Sequence, residues 1–300
     1  GLPALIDRVP NASYMRKQSI APPESSCTPG TRVSTIKEIT TWGTSKACLG
    51  SARPHIYWLH GSAGSGKSAI AQTISEDLGD RKMLGGSFFY WRGDEWRNLI
   101  AKSISTLASD LGGAVPQVAP LIEATLKMQP GLLNAEDTSV ASQLQKLVLF
   151  PFKQAYRNQL TRFLAEPVLI VLDGIDQCED REAVNEFVDT LASFFKENPM
   201  LPLRFLITSR SDGTLESRLS PSDALVVNLD DRPPTDDIAV MMRAAFKHAS
   251  EHDLVVRSFG PWPTEEEFKA CVEHAKGSLG VAGKMMRFIV TTGPRDITTP

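Results

Sequence analysis

The chain has 300 residues, of which 42% are hydrophobic, and this is enough for one large α/β domain and a smaller helical unit. Its 32 Lys and Arg against 35 Asp and Glu give a net charge of −3 with no dense basic run, which excludes the electrostatic pattern of a sequence-independent nucleic-acid binder. We therefore expect no nucleic-acid partner.

The cysteines and the apolar runs bear on the compartment of the protein. The chain has four scattered cysteines, Cys27, Cys48, Cys178 and Cys271. Without a close pair among them, they do not form a redox or zinc motif. The longest aliphatic run, residues 168–172, is far shorter than the ~20 residues that span a bilayer. These features predict a cytoplasmic protein with no membrane partner.

The first thirty residues differ from the rest of the chain. They are rich in Pro, Ser and Ala and show little periodicity, which predicts a flexible N-terminal arm over 1–30. The first residue is Gly1 rather than Met, and we expect the sequence to be a piece of a longer chain. Over 31–42, apolar residues recur at spacings of three, which predicts a short amphipathic helix.

Five short apolar runs predict the strands of a buried parallel sheet, because they are rich in β-branched and aromatic residues and are separated by helical patterns. The runs are 56–59, 87–91, 168–172, 205–208 and 225–229. After Pro233 and Pro234 the strand signals stop, and three helical patterns follow near 236–248, 264–275 and 283–290. Thr264 and Glu267 form a capping-box signature at the start of the second of these.

Residues 61–68, GSAGSGKS, match the phosphate-loop pattern in full, directly after the first predicted strand and before a helical pattern. Glycines let backbone N–H groups converge on phosphate oxygens, Lys67 supplies a cation, and the Ser68 hydroxyl is a ligand for Mg²⁺. The alternative, a Gly-rich turn without a ligand, is disfavoured by the flanking strand and helix. The predicted nucleotide-binding residues here are Gly61, Ser62, Ala63, Gly64, Ser65, Gly66, Lys67, Ser68 and Ala69.

Two carboxylates follow the third predicted strand. Asp173 ends that strand, whose tip would project it toward the phosphate loop as a second ligand of Mg²⁺. Asp176 lies near the same tip and is the candidate group that positions or deprotonates the attacking water. The alternatives are a polar strand cap for Asp173 and a helix N-cap for Asp176.

Arg210 follows the fourth predicted strand, where its guanidinium could contact the γ-phosphate; a surface arginine is the alternative. Other clusters are weaker. His248 and His252 are one helical turn apart without a nearby carboxylate, which is typical of a solvated helix face. For His60, packing explains the residue better than catalysis. Core packing explains Trp91, Trp96 and Arg97 as well as contact with a ligand does.

The ordered set of these motifs resembles the NACHT-type P-loop proteins of filamentous and mushroom-forming fungi, close to the nephrocystin-like N-terminal module, within the signal-transducing STAND class. The likeness covers residues 27–290 and rests on six groups of residues. These are CTPGTR at 27–32 followed by Trp42, the phosphate loop, FFY at 88–90 with RGD at 92–94, DGIDQC at 173–178, TSR at 208–210 and RFI at 287–289.

The resemblance implies a strand order of 5-1-4-3-2 and places Thr31 and Arg32 near the base or ribose of the nucleotide. It also implies that Arg210 is the sensor arginine. Asp173, Asp176 and Arg210 are together the predicted catalytic residues. The family usually has a glutamate where this chain has Gln177, so the resemblance implies slow hydrolysis. No recognisable repeat follows residue 290, although the family is repeat-containing and functions in innate-immunity-like signalling.

We therefore expect an α/β P-loop NTPase fold with a five-stranded parallel sheet, divided into an arm (1–30), a nucleotide-binding domain (31–232) and a partial helical lid (233–300). The expected function is an Mg²⁺-dependent signalling switch that binds ATP in preference to GTP, hydrolyses it slowly and self-associates in the triphosphate state, with effector or sensor partners unknown. The rivals are a turnover ATPase or small-molecule kinase and a nucleic-acid-dependent motor.

Overall fold

A computed structural model of the protein describes residues 2–17, 26–46, 53–158, 162, 164–211, 213–258 and 262–292. Its centre is a five-stranded parallel sheet in the order β2-β3-β4-β1-β5. The fold class and the expected strand order, read from the opposite edge, are confirmed. The strands are β1 (Ile56–His60), β2 (Leu84–Phe89), β3 (Val168–Asp173), β4 (Leu203–Ser209) and β5 (Ala224–Asn228).

The strands form because their side chains are apolar on both faces and helices cover both faces of a parallel sheet. Every residue of β1, β3 and β4 is buried. The edge strand β5 is an exception, since Leu225 and Val226 are exposed. The strand β2 begins three residues earlier than the sequence predicts, because Gly85 and Gly86 are part of it and pack closely against β3 and a helix.

Helices lie on the two faces of the sheet and enclose two apolar clusters. One face carries α1 (Val33–Thr44) and α2 (Lys67–Asp80), with Ile39, Ile70 and Ile74 in the core. The other face carries a larger set, in which α3 continues through Gly112 and Gly113. This set is α3 (Ile100–Ala114), α4 (Ala119–Met128), α5 (Val140–Leu144), a π-helical segment (Gln145–Leu149), α6 (Phe150–Ala155) and α7 (Arg181–Glu197).

The segment 2–17 is packed against the sheet domain, which corrects the expectation of a flexible arm for these residues. Leu2, Ile6 and Ala12 are buried in the larger apolar cluster. The carbonyl oxygen of Ala12 accepts a hydrogen bond from the N–H of Phe89 on β2 at 2.8 Å, so the segment lies along that edge of the sheet. The sequence did not predict this packing, because the composition of residues 1–30 is rich in Pro and Ser. Residues 18–25 of the predicted arm, and Cys48, lie outside the described residues.

A helical unit follows a short helix, α8 (Gly213–Glu216), and β5. It has its own apolar cluster around Met242, Phe246 and Met286. The predicted capping box is present, because the hydroxyl of Thr264 accepts the N–H of Glu267 and the carboxylate of Glu267 accepts the N–H of Thr264. The helices of this unit are α9 (Thr235–His252), α10 (Leu254–Ser258), α11 (Glu265–His274) and α12 (Leu279–Thr292). Among the helices described, none is long and apolar enough to cross a membrane.

Candidate functional site

The carboxyl ends of three neighbouring strands bring the predicted site residues to one edge of the sheet. The phosphate loop connects β1 to α2, and within it Gly64 has φ 77° and Gly66 has φ 98°. Backbone in this left-handed region favours glycine, which has no Cβ. The two glycines turn the chain sharply, and α2 begins at Lys67 with its N-terminus toward the loop. This is the strand, loop and helix arrangement that binds phosphate.

The ammonium group of Lys67 is folded over the loop. It donates hydrogen bonds to the carbonyl oxygens of Gly61 at 2.8 Å and Ser62 at 2.7 Å, and it lies 3.2 Å from the hydroxyl of Ser65. Burial lowers the pKa of Lys67, and the negative charges of Asp173, Asp176 and Asp230 oppose that shift. The three N–H donors of the ammonium group therefore lie at the loop, where an anionic ligand would replace the carbonyl oxygens as their acceptor.

The carboxylate of Asp173 is buried beside the first turn of α2. Its Oδ1 accepts a hydrogen bond from the hydroxyl of Thr208 at 2.6 Å, and its Oδ2 has no hydrogen-bond partner among the described residues. Burial raises the pKa of this carboxyl group, whereas the hydroxyls of Thr208 and Ser68 and the charges of Arg16 and Lys67 lower it. An unpaired buried carboxylate oxygen close to a serine hydroxyl fits the oxygen ligands that Mg²⁺ prefers.

Asp176 and Arg210 are held together, but in a way that the sequence did not predict. The Oδ1 atom of Asp176 accepts the backbone N–H of Arg210 at 3.0 Å, and its Oδ2 atom lies 3.7 Å from Nε of the same residue. The Arg210 side chain is 67% exposed, so it is near the site without being fixed in it. The side-chain oxygen of Gln177 accepts the N–H of Arg92 at 3.2 Å. A backbone group of the loop after β2 therefore holds the Gln177 amide.

A cavity of about 650 Å³ lies between the phosphate loop, the turn before α1 and the helical unit. Thr31 and Arg32 line it, and the Arg32 guanidinium is buried and donates to the carbonyl oxygens of Ser65 and Arg232 at 2.7 and 2.6 Å. Its Nε lies 3.7 Å from a carboxylate oxygen of Asp237 on α9. Arg32 thus joins the loop to the start of the helical unit.

The helical unit touches the phosphate loop directly. The N–H of Gly280 donates to the carbonyl oxygen of Gly64 at 2.9 Å, and a Cβ on Gly280 would lie 2.9 Å from the Cα of Gly64. The carboxylate of Asp230, just after β5, accepts the N–H and the hydroxyl of Ser62 at 2.8 Å each. The connection that precedes the helical unit and the first turn of α12 therefore both contact the loop.

Sequence reasoning missed the residues that the helical unit contributes to the cavity. Met241, Leu279 and Arg287 line it from α9 and α12. The RFI motif at 287–289 was the one available signal, and it entered the resemblance without a role. His60 contacts Ser211 rather than the loop, and His248 and His252 are exposed on α9. In the part of the chain that the structure describes, no group of three or more His, Cys, Asp or Glu could hold a metal ion alone.

Comparison with known families gives one match. The sequence model of a family described as "Nephrocystin 3, N-terminal" matches residues 34–210, which is more than half of the chain. The matched region begins in α1 and ends just after β4, so it contains the phosphate loop, Asp173, Asp176 and Arg210. No curated protein matches the sequence.

Several solved structures are similar to this chain at low sequence identity. AMPPCP-bound DnaA from Aquifex aeolicus is 13% identical with a TM-score of 0.44, covering 91% of this chain and 65% of that one. The ORC2 protein of Aeropyrum pernix, in ADPNP–ADP complexes, is 12% identical with a TM-score of 0.45, covering 90% and 70%. Drosophila ORC bound to DNA is 15% identical with a TM-score of 0.48, covering 89% and 64%. This chain therefore spans about two thirds of each of these proteins.

Proposed function

The chain belongs to the nephrocystin 3 N-terminal family, and from this premise we propose that it is an Mg²⁺-dependent nucleoside-triphosphate switch with slow hydrolysis. The observation that carries the proposal is the cavity beside the phosphate loop, which is closed on one side by the helical unit. A nucleotide there would contact the loop and the helical unit at once. Its phosphates could then bias how the two parts are arranged, which is the requirement for a switch.

The cavity lining supports ATP over GTP as the ligand. Besides the phosphate loop, it is lined by Ser26, Cys27 and Thr28, together with Met241. Guanine presents an amino donor that carboxylates accept well, and no Asp or Glu is among the residues that line the described cavity. We therefore assign the base site to adenine.

Each side chain has a distinct part in the proposed cycle. The loop N–H groups and Lys67 bind the phosphates, while Ser68 and Asp173 would hold Mg²⁺, which neutralises charge that develops on the phosphate oxygens. Asp176 positions the attacking water and accepts its proton, and Arg210 contacts the γ-phosphate when its exposed side chain closes over it. Because the backbone N–H of Arg92 holds the Gln177 side chain, this side chain does not assist Asp176, and hydrolysis is slow.

We place the protein among the NACHT-type switches of the STAND class, in the cytoplasm, and infer that the triphosphate state favours self-association. The contact of Gly280 with Gly64 supports this, since phosphate binding that moves the loop would displace α12. Displacement of the helical unit would uncover surface that a second copy can bind. Effector or sensor domains outside this chain are the other expected partners.

The test has two parts. Mass spectrometry of nucleotide retained on purification, followed by single-turnover hydrolysis of γ-labelled ATP, should give bound adenine nucleotide and a rate below about 1 s⁻¹, the lower end of typical enzyme turnover. Mass photometry should then detect larger assemblies with a non-hydrolysable triphosphate than with ADP. A faster rate would return the chain to the catalytic ATPases or kinases, and stimulation by DNA or RNA would support a nucleic-acid-dependent motor.

A further inference from the structure

Arg16 is a buried arginine of the N-terminal segment that lies beside the nucleotide site. Its guanidinium stacks 3.8 Å above the ring centroid of Phe89, the last residue of β2. Its Nη1 donates to the side-chain oxygen of Gln72 at 2.9 Å and to the carbonyl oxygen of Ser13 at 3.1 Å. Arg16 precedes the region that the family matches, residues 34–210.

Two of the partners of Arg16, Gln72 and Phe89, belong to the two elements that must cooperate to bind Mg²⁺. Gln72 is one turn after Ser68 on α2, on the same face of that helix. Phe89 pairs in register with Asp173, and the N–H of Tyr90 donates to the carbonyl oxygen of Asp173 at 2.9 Å. Arg16 therefore bridges the helix that carries the serine ligand and the strand pair that carries the carboxylate ligand.

Burial and further hydrogen bonds hold the Gln72 side of this bridge in place. Gln72 is fully buried, and its amide nitrogen donates to the carbonyl oxygen of Tyr14 at 2.9 Å and to Glu76 at 2.7 Å. Every polar atom of the Gln72 side chain is thus engaged by the N-terminal segment or by α2. Burial and the charge of Arg97 lower the pKa of Arg16 to about 10, opposed by Asp173 and Glu76, so the guanidinium remains charged at neutral pH.

We propose that Arg16 is a positioning residue for the metal: by joining Gln72 to Phe89 it holds the helix that carries Ser68 against the strand that carries Asp173. The phosphates need no such bridge, because the loop groups that bind them all belong to the continuous segment 61–69. Loss of Arg16 should therefore weaken metal binding and spare metal-free nucleotide binding. Residues that orient metal ligands without touching the metal typically change metal affinity by about 10- to 100-fold when they are replaced.

The inference rests on the proposed function, and the experiment separates the two. Binding of a fluorescent ATP analogue is measured first in EDTA and then during a Mg²⁺ titration, for the wild type and for Arg16→Met. We expect the Mg²⁺ midpoint to rise at least about tenfold, while the EDTA affinity changes by less than about threefold. Gln72→Met should have the same effect, and the double variant should be no worse than either single one, because both changes remove one bridge.

Arg8→Met is the matched control, since Arg8 is in the same segment but pairs with Asp110 on α3. It should leave the Mg²⁺ midpoint unchanged. If Arg16→Met does not fold, Arg16→Lys decides, because lysine keeps the charge and loses the planar stack, and its midpoint should rise about threefold. The inference about Arg16 is overturned if a folded Arg16 variant has the Mg²⁺ midpoint of the wild type, or if its affinity for the ATP analogue falls equally with and without Mg²⁺. Either result leaves the proposed function standing. A wild-type protein that binds no nucleotide overturns the proposed function as well.

Discussion

Replacing Lys67 by methionine removes the ammonium group and keeps most of the side-chain volume, so Lys67→Met separates the charge of this residue from its packing. In the structure the ammonium group satisfies the carbonyl oxygens of Gly61 and Ser62 and approaches the Ser65 hydroxyl. A bound triphosphate would take over these donors. The substitution therefore affects both the free loop and the complex, and the two effects can be estimated separately.

The effect on stability should be small. Two carbonyl oxygens lose a charged donor, which costs about 1–3 kcal/mol, but a cation whose pKa is already lowered by burial is removed at the same time. The effect on binding should be large, because two charge-assisted hydrogen bonds to phosphate contribute about 1.5–3 kcal/mol each and only part is recovered in the free protein. A net loss of about 3 kcal/mol corresponds to roughly a hundredfold weaker binding.

Calorimetry with Mg²⁺ and ATP measures the affinity, and thermal unfolding without nucleotide measures the stability. We expect about a hundredfold weaker binding with a melting temperature within about 4 °C of the wild type. Lys247→Met is the control, because Lys247 is exposed on α9 and pairs with Glu251 one turn away. An affinity within about threefold of the wild type in folded Lys67→Met would refute the role of Lys67.

Three further predictions concern the strand tips and the helical unit. Arg210→Ala should reduce the preference for ATP over ADP about tenfold by calorimetry, and equal losses for both nucleotides would indicate a structural arginine. Asp176→Asn should slow single-turnover hydrolysis at least about 10²-fold. Gln177→Glu should change the rate less than about threefold, because the backbone N–H of Arg92 already holds that side chain, and a 10²-fold acceleration in this variant would contradict the prediction. Gly280→Ala should speed nucleotide release in stopped flow by displacing α12, whereas Gly113→Ala, with nothing within 4 Å of its Cβ position, should not; equal release rates in both would count against the contact.

The sequence predicted the sheet and the phosphate loop because their signals are contiguous. Residues 61–68 carry the loop geometry in eight consecutive positions, and each buried strand is a short apolar run. The start of β2 was missed because Gly85 and Gly86 are typical of a turn. Both glycines are in the strand because a Cβ on either would lie within 3.0 Å of side chains on neighbouring elements. That constraint comes from chain segments distant in sequence.

The same reason explains the other differences. Ala12 pairs with Phe89, and Arg32 with Arg232, across separations that no local pattern encodes. Asp173 could be named as the proposed metal ligand from its place at the end of an aliphatic strand, but its bridge through Arg16 depends on how the N-terminal segment packs. The sequence predicts that Gln177 stands where the family usually has a glutamate, but it does not predict the orientation of the Gln177 side chain. Its side chain contacts the backbone of Arg92.

The contact between Gly64 and Gly280 is made by main-chain atoms alone. Replacing the surrounding side chains cannot remove its donor or its acceptor, so only added bulk at one of the two glycines can abolish it directly. Any displacement of the Gly64 carbonyl must either carry the first turn of α12 along or break the hydrogen bond. A movement of the loop therefore reaches α12 through the position of one peptide group, and not through the chemical identity of a side chain.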